Sequence, residues 1–247
     1  MNPRDIPVRF SRLKYFAQSP AHYLNSITVE REDSAALRGG RLLHYLVLGG
    51  DYAVYDGTRR GKAWDDFQAE HAGADIFTTS EYDRAAPMAA AVHGHADAAR
   101  LLQGEHEQQL DWSWLGRSCT GRLDVIHPRW IADLKTTVDA QPERFQRLAL
   151  RYAYHAQLAW YRIGAGDLTR DCYLISVETK APHPVVVHHL TEAALDQGER
   201  LCRLWMERLR TCEESGHWPG YAQSIVDFDA VELDDVTLSI DGEEVAA

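Results

Sequence analysis

Cysteine is scarce, with four in 247 residues, at Cys119, Cys172, Cys202 and Cys212. They form no CxxC pair and no tight cluster, which argues against a zinc knuckle or an iron–sulfur centre and favours reduced structural thiols. No apolar run approaches the roughly 20 residues that cross a bilayer. The opening MNPRDIPVRF lacks the apolar core of a signal peptide, so the expected setting is the cytoplasm, with no membrane partner. A GxxxxGK[ST] loop is missing, and with it support for an intrinsic ATP motor. There is no basic excess either: 26 Lys and Arg against 37 Asp and Glu give a net charge of -11, unlike a general nucleic-acid coat protein. That deficit is local. Residues 222–247 hold eight acids and no Lys or Arg, leaving residues 1–221 at 29 acids against 26 bases. A near-neutral body can carry a basic track. Hydrophobic residues at 45% and aromatics at 10% exclude a disordered chain. The expected organisation is one domain over 1–221 followed by an acidic tail over 222–247.

Caps and breakers divide the chain. Ser11 caps a first helix to Leu24, interrupted at Ser19-Pro20. Asp33 or Ser34 caps a second, which runs to about Leu48 and closes at Gly49-Gly50. Residues 51–79 read as irregular apart from a helical stretch near Trp64 to His71. An alanine-rich helix follows from Ser80 to Leu102. Three strands then come in quick succession, at His106–Trp114, Arg117–Ile126 and Trp130–Thr136, separated by Leu115-Gly116 and His127-Pro128-Arg129. One long helix is predicted from Pro142 to Ile163. Strands at Cys172–Glu178 and Val185–Leu190 and a helix from Thr191 to about Glu214 complete the body. This order, α-βββ-α-ββ-α, predicts a mixed α/β fold.

Hairpin arithmetic brings acids together. A four-residue loop from His127 to Trp130 sets Ile126 opposite Ile131, hence Asp124 opposite Asp133 and Arg122 opposite Lys135. A two-residue loop at Leu115-Gly116 sets Glu107 opposite Asp124. With alternating side chains, Glu107, Asp124, Asp133 and Lys135 share one face. Directly opposed like charges destabilise a sheet, and a divalent cation reverses the sign. Carboxylates at this spacing suit Mg²⁺ or Mn²⁺, with Lys135 orienting a water or steadying a phosphate. Spacing alone leaves a second reading open, in which these are ordinary strand residues, because a loop longer by one residue flips a side chain. Glu105 has the same parity as Glu107 and is its natural substitute.

Gly121-Arg-Leu-Asp124 followed by Asp133-Leu-Lys135 resembles the split signature of the PD-(D/E)XK nuclease superfamily. Gly40-Arg-Leu-Leu-His44 upstream is similar to the GxxxH helix of its RecB-like branch, and Gln157-Leu-Ala-Trp-Tyr161 downstream to that branch's QxxxY helix. Ser11-Arg-Leu-Lys-Tyr15, Ser19-Pro-Ala-His-Tyr23 and Trp218-Pro-Gly-Tyr221 look most like the RecE (exonuclease VIII) type of phage and prophage recombination exonuclease. The resemblance implies a restriction-endonuclease-like core, α-βββ-α-β, with a mixed central sheet flanked by helices. It also implies His44 as a metal ligand beside Asp124 and Asp133, with the Leu134 carbonyl completing the shell. Gln157 and Tyr161 are implied to hold the scissile phosphate or the lysine. Without it, His44 among leucines reads as a core histidine, and Gln157 and Tyr161 read as a polar helix stripe.

Arg122 is a candidate phosphate contact. Arg144, Arg147 and Arg151 recur at helical spacing and fit either a DNA-backbone track or a solvated face. The activity implied is a Mg²⁺-dependent, processive 5′-to-3′ exonuclease on double-stranded DNA ends. Implied partners are further copies in a homo-oligomeric ring and a single-strand annealing protein. Two rivals stay open: a CRISPR-adaptation or helicase-associated nuclease without an iron–sulfur cluster, and a non-catalytic DNA-end-binding module of the same fold.

Overall fold

Capping side chains set where most helices begin in the computed structural model, which describes residues 2–29, 33–221, 225, 238–240 and 243–245. Strand β1 (Val8–Arg9) leads into one helical turn, α1 (Phe10–Leu13), and a 3-10 turn. Ser19 accepts the His22 N–H and opens α2 (Pro20–Thr28), whose first position is the proline. Ser34 accepts the Leu37 N–H and opens α3 (Ala35–Leu48), which stops at Gly49 with φ 86°. Such a cap contributes about 1 kcal/mol. Next come β2 (Tyr52–Tyr55), α4 (Lys62–Glu70), β3 (Asp75–Thr78), α5 (Thr79–Gly94) and α6 (Ala96–Leu101). The three long strands are β4 (Glu105–Trp114), β5 (Arg117–Ile126) and β6 (Trp130–Thr137). Helices α7 (Pro142–Arg151) and α8 (Tyr154–Gly164), strands β7 (Asp171–Glu178) and β8 (Val185–Leu190), and α9 (Glu192–Ser215) follow. A short antiparallel pair, β9 (Leu238–Ile240) and β10 (Glu243–Val245), lies in the C-terminal acidic stretch, most of which is outside the described residues.

The mixed α/β order matches expectation, and four local readings are corrected. Residues 51–79 are not irregular: β2 and β3 pair in parallel, from Tyr52 with Asp75 to Tyr55 with Thr78. Four-residue strands give too little alternation to register against the surrounding polar loop. The helix expected from Pro142 to Ile163 is two helices, because Ala153 adopts a left-handed conformation with φ 57°. The helix expected from Ser80 to Leu102 begins at Thr79 and breaks at His95, whose Nδ1 accepts the Ala98 N–H and caps α6. The helix does restart at Ser19-Pro20 as expected, but Ser11 is not its first cap: α1 begins at Phe10 after Arg9, with no side-chain cap, and gives way to a 3-10 turn at Lys14–Ala17.

Sheet pairing positions the site. β4 covers one edge of β5, from Trp114 opposite Arg117 to Glu105 opposite Ile126. The other edge is divided. β1 lies parallel against Cys119 and Thr120, and β6 lies antiparallel against Val125 and Ile126. Between them, Gly121 to Asp124 have no strand partner on that edge among the described residues, so the sheet is forked. β6 then continues into the parallel partner β7, and β7 into antiparallel β8.

The fork coincides with a change of face. Cys119 and Leu123 belong to the core that packs under α8 and α9, whereas Val125 belongs to the core under α3 and α5. Alternation therefore switches sides between Leu123 and Val125. Opposite this point Glu107 has φ 52°, and the pair Glu107–Asp124 is missing from a ladder that keeps its register on either side, Gln108 with Leu123 and His106 with Val125. A non-glycine residue at positive φ is unusual and strained. The α8–α9 layer is tight: a Cβ on Gly198 would lie 2.6 Å from the His155 carbonyl oxygen. Among the described residues no helix is long and apolar enough to cross a membrane.

Candidate metal centre

His44 projects from α3 into the fork. Its Nδ1 lies 3.5 Å from Glu107 Oε1 and 3.6 Å from Asp124 Oδ1. Its Nε2 lies 3.2 Å from the Leu134 carbonyl oxygen. That acceptor assigns the proton of a neutral ring to Nε2 and leaves the Nδ1 lone pair facing the acids. Ligand atoms of His44, Glu107 and Asp124 all lie within 4.8 Å of one another. An imidazole nitrogen beside two carboxylates is a donor set that could hold a divalent metal ion.

Electrostatics at the trio are strained without an ion. Asp124 is 8% exposed, and burial raises its pKa to about 6, with Asp133 pushing the same way and His44 and Lys135 opposing. Burial alone would lower the pKa of His44, but Asp124 and Glu107 outweigh it and lift the imidazole to about 9. For Glu107 burial works upward and is overcome by His44 and Arg122, leaving the carboxyl below its usual range. Arg122 holds Glu107 through Nε–Oε2 at 2.6 Å.

The register of the β5–β6 hairpin is the expected one, with Ile126 opposite Ile131, but the ladder ends at Val125 and Ala132. Asp124 therefore does not face Asp133 in a ladder pair. Its Oδ2 instead accepts the Leu134 N–H at 2.8 Å, taking the place of a strand partner. Arg122 does not face Lys135 either. Its ladder neighbour is Gln109, and its guanidinium turns to Glu107. Asp133, 1% exposed, lies outside the trio and points to the α8 side, where it pairs with Lys135 and accepts from Gln157 Nε2 at 3.2 Å. Gln157 also donates to the Tyr161 hydroxyl at 2.9 Å. The Tyr161 ring lies against the backbone of β5, where a Cβ on Gly121 would come within 3.0 Å of it. Gly40 has no such role, since a Cβ there would meet only Thr136 Oγ1, at 3.9 Å.

Lys135 is held protonated: burial works against its charge, and Asp133 and Asp124 outweigh burial. Its Nζ also sits 5.0 Å from the centre of the Tyr154 ring, a cation–π contact. Tyr154 escaped the sequence reading, although it precedes Gln157 by three positions and Tyr161 by seven, the spacing of one helix face.

Two adjoining clefts open on the site. One, of about 750 Å³, is lined by Gly40, Arg41, His44, Glu107 and Lys135 among others. The second, of about 850 Å³, is lined by Arg9, Lys14, Arg122, Lys135, Gln157 and Tyr161 among others, with no Asp or Glu on its wall among the described residues. Arg122, Lys135 and Tyr154 border both. Arg9 was also missed, since the N-terminal strand is two residues long and carries no periodicity, and Lys14, in the 3-10 turn that follows α1, was read only within a motif and given no role. Arg144, Arg147 and Arg151 are exposed on α7 and line neither cleft. Arg144 pairs with Asp139 at 2.8 Å.

Among solved structures, the chain is similar to a "putative exonuclease" from Eubacterium rectale, with TM-score 0.63 and 13% identity over 92% of each chain. A second similar structure is a phage related exonuclease from Haemophilus somnus 129PT, with TM-score 0.38 and 13% identity over 83% of this chain and 96% of that one. No curated protein matches. The model of the family described as "PDDEXK-like domain of unknown function (DUF3799)" matches residues 9–228. The chain thus belongs to that family and carries the PD-(D/E)XK type of fold.

Proposed function

We propose that the protein is a Mg²⁺-dependent deoxyribonuclease, with Mn²⁺ as substitute, that acts on double-stranded DNA ends. One observation carries this reading: His44, Glu107 and Asp124 gather their ligand atoms within 4.8 Å in a cleft that Lys135 also lines. These three would hold the ion, while Asp133 from β6 pairs with Lys135 and Gln157 and the Leu134 carbonyl accepts from His44 Nε2. When bound, the ion supplies positive charge at the phosphate and lowers the pKa of the attacking water. Lys135, kept charged by Asp133, orients that water and stabilises the charge that develops on the phosphoryl oxygens. Gln157 fixes Asp133 from α8, and Tyr161 fixes Gln157. Arg122 contacts the phosphate beside the site, and Arg144, Arg147 and Arg151 track more distant backbone.

The likeness to RecE-type motifs supports the finer reading: processive 5′-to-3′ digestion, a homo-oligomeric ring threaded by DNA, and a single-strand annealing partner. A ring would place the basic cleft of Arg9, Lys14, Arg122 and Lys135 inside and the acidic excess outside. The CRISPR-adaptation or helicase-associated rival, stated without an iron–sulfur cluster, is compatible with four cysteines buried in one apolar core, and only the RecE-like motifs weigh against it. A binding module is disfavoured by a complete donor set beside a charged lysine.

A time course on linear duplexes labelled at the 5′ or the 3′ end, with a closed circle as control, tests the reading. Early release of the 5′ label with an intact circle is expected. Cutting of the circle would overturn the end requirement, and early 3′ release would overturn the polarity. No digestion of any duplex with Mg²⁺ or Mn²⁺ would overturn the enzyme.

A further inference from the structure

Behind the site, α8 also walls a separate cavity of about 350 Å³, bounded by α7, the β7–β8 pair and the start of α9. Its walls are largely apolar, with Phe145, Ala149, Leu174 and Leu190, and among the described residues no Asp, Glu, Lys or Arg lines it. His155 lines it too. That side chain is 6% exposed, and neither ring nitrogen has a hydrogen-bond partner among the described residues. Leaving a buried polar atom unpaired costs about 1–3 kcal/mol, so an orphaned ring beside a cavity of this size needs an occupant. The two other histidines that line it have partners: His188 meets the Ser176 hydroxyl at 3.1 Å and stacks on Phe145 at 4.6 Å, forming a flat wall, and His189, exposed, turns its Nε2 to Asp171 at 3.5 Å.

These features define the chemistry of the occupant. A charged molecule would find no counter-charge, and burial lowers the pKa of both His155 and His188 and so disfavours imidazolium. Apolar walls and the flat Phe145–His188 stack favour a planar apolar body. The neutral imidazole of His155 offers one donor and one acceptor, and a hydroxyl serves either, since it both donates and accepts. We propose that this cavity is a second binding site, for an uncharged small molecule with an aromatic body and a hydroxyl head that pairs with His155. The proposal does not depend on the nuclease reading.

The test uses the full chain in EDTA and three probes of similar size, followed by calorimetry and by melting temperature. p-Cresol carries the ring and hydroxyl, toluene lacks the head, and p-toluate adds a charge. Expected is one saturable p-cresol site, with toluene about fivefold weaker, the worth of one hydrogen bond, and p-toluate without effect. His155→Phe should make p-cresol and toluene bind alike. Ala194→Trp, at the rim, should block both while leaving the interior side chains in place. Absence of p-cresol binding, the outcome if water alone fills the cavity, would overturn the proposal. So would undiminished binding to Ala194→Trp, or an unchanged preference for p-cresol over toluene in His155→Phe.

Discussion

Helix α3 carries a cationic side chain to each of two carboxylate clusters, and the clusters are built on opposite plans. Arg38 reaches Glu81, with Nε–Oε1 at 2.7 Å, while Thr78 donates its backbone N–H and hydroxyl to Glu81 Oε2 at 2.7 and 3.0 Å. Arg59 joins at 3.4 Å. Arg38, ahead of burial's opposing effect, brings Glu81 down to about 2. Two turns later His44 enters a cluster where burial and a neighbouring acid push Asp124 up to about 6. Glu81 has more donors than it needs, and Asp124 has fewer. The first arrangement stabilises the fold by itself, whereas in the second burial opposes the charge of Asp124, which a bound cation, as proposed, would favour.

The largest test of that contrast separates activity from stability. Asp124→Asn keeps an acceptor for the Leu134 N–H and removes a strained charge. Digestion of linear duplex should fall about 100- to 1000-fold, with an unchanged or raised melting temperature. Lys135→Ala and Asp133→Ala should lose activity on the same scale, and unchanged digestion by either would remove them from the catalytic set. Glu81→Gln should do the reverse. Activity should persist while stability at pH 7 drops by about 1–2 kcal/mol, read from urea unfolding.

The pH windows are opposed as well. Glu81 is depressed from 4.5 to about 2, so its contribution is present above pH 4.5 and lost as pH falls through 2. His44 is raised from 6.5 to about 9, so its contribution is present below pH 6.5 and lost as pH rises through 9. Melts in EDTA should therefore weaken at both ends, with His44→Asn flattening only the alkaline side and Glu81→Gln only the acid side. The smallest effect falls on Tyr154. Tyr154→Phe should retain near-normal turnover, and Tyr154→Leu should lower kcat about fivefold with little change in KM, through loss of the cation–π contact to Lys135.

Long alternating strands and strong caps made much of this fold legible. Arg117–Ile126 begins and ends where alternation and the flanking Gly and Pro place it, and Ser34 caps α3 as its position suggests. Loop length was enough to set both hairpin registers. What register could not reveal was where pairing stops. The fork depends on β1, two residues long, holding Cys119 and Thr120 while β6 holds only Val125 and Ile126. The positive φ at Glu107, inside β4, and the left-handed Ala153 occur at residue types that normally avoid them. Together these features send Asp133 to Lys135 and Gln157 and leave Asp124 with His44 and Glu107. Long-range packing, which no local pattern encodes, decided which acids meet.

Titration calorimetry of Mn²⁺ into the full chain, beside Asp124→Asn, addresses the metal centre most directly. One saturable ion per chain in the wild type, abolished in the variant while its melting temperature holds, is the predicted result. Equal Mn²⁺ binding by both proteins, or none by the wild type, would contradict a metal centre built from His44, Glu107 and Asp124.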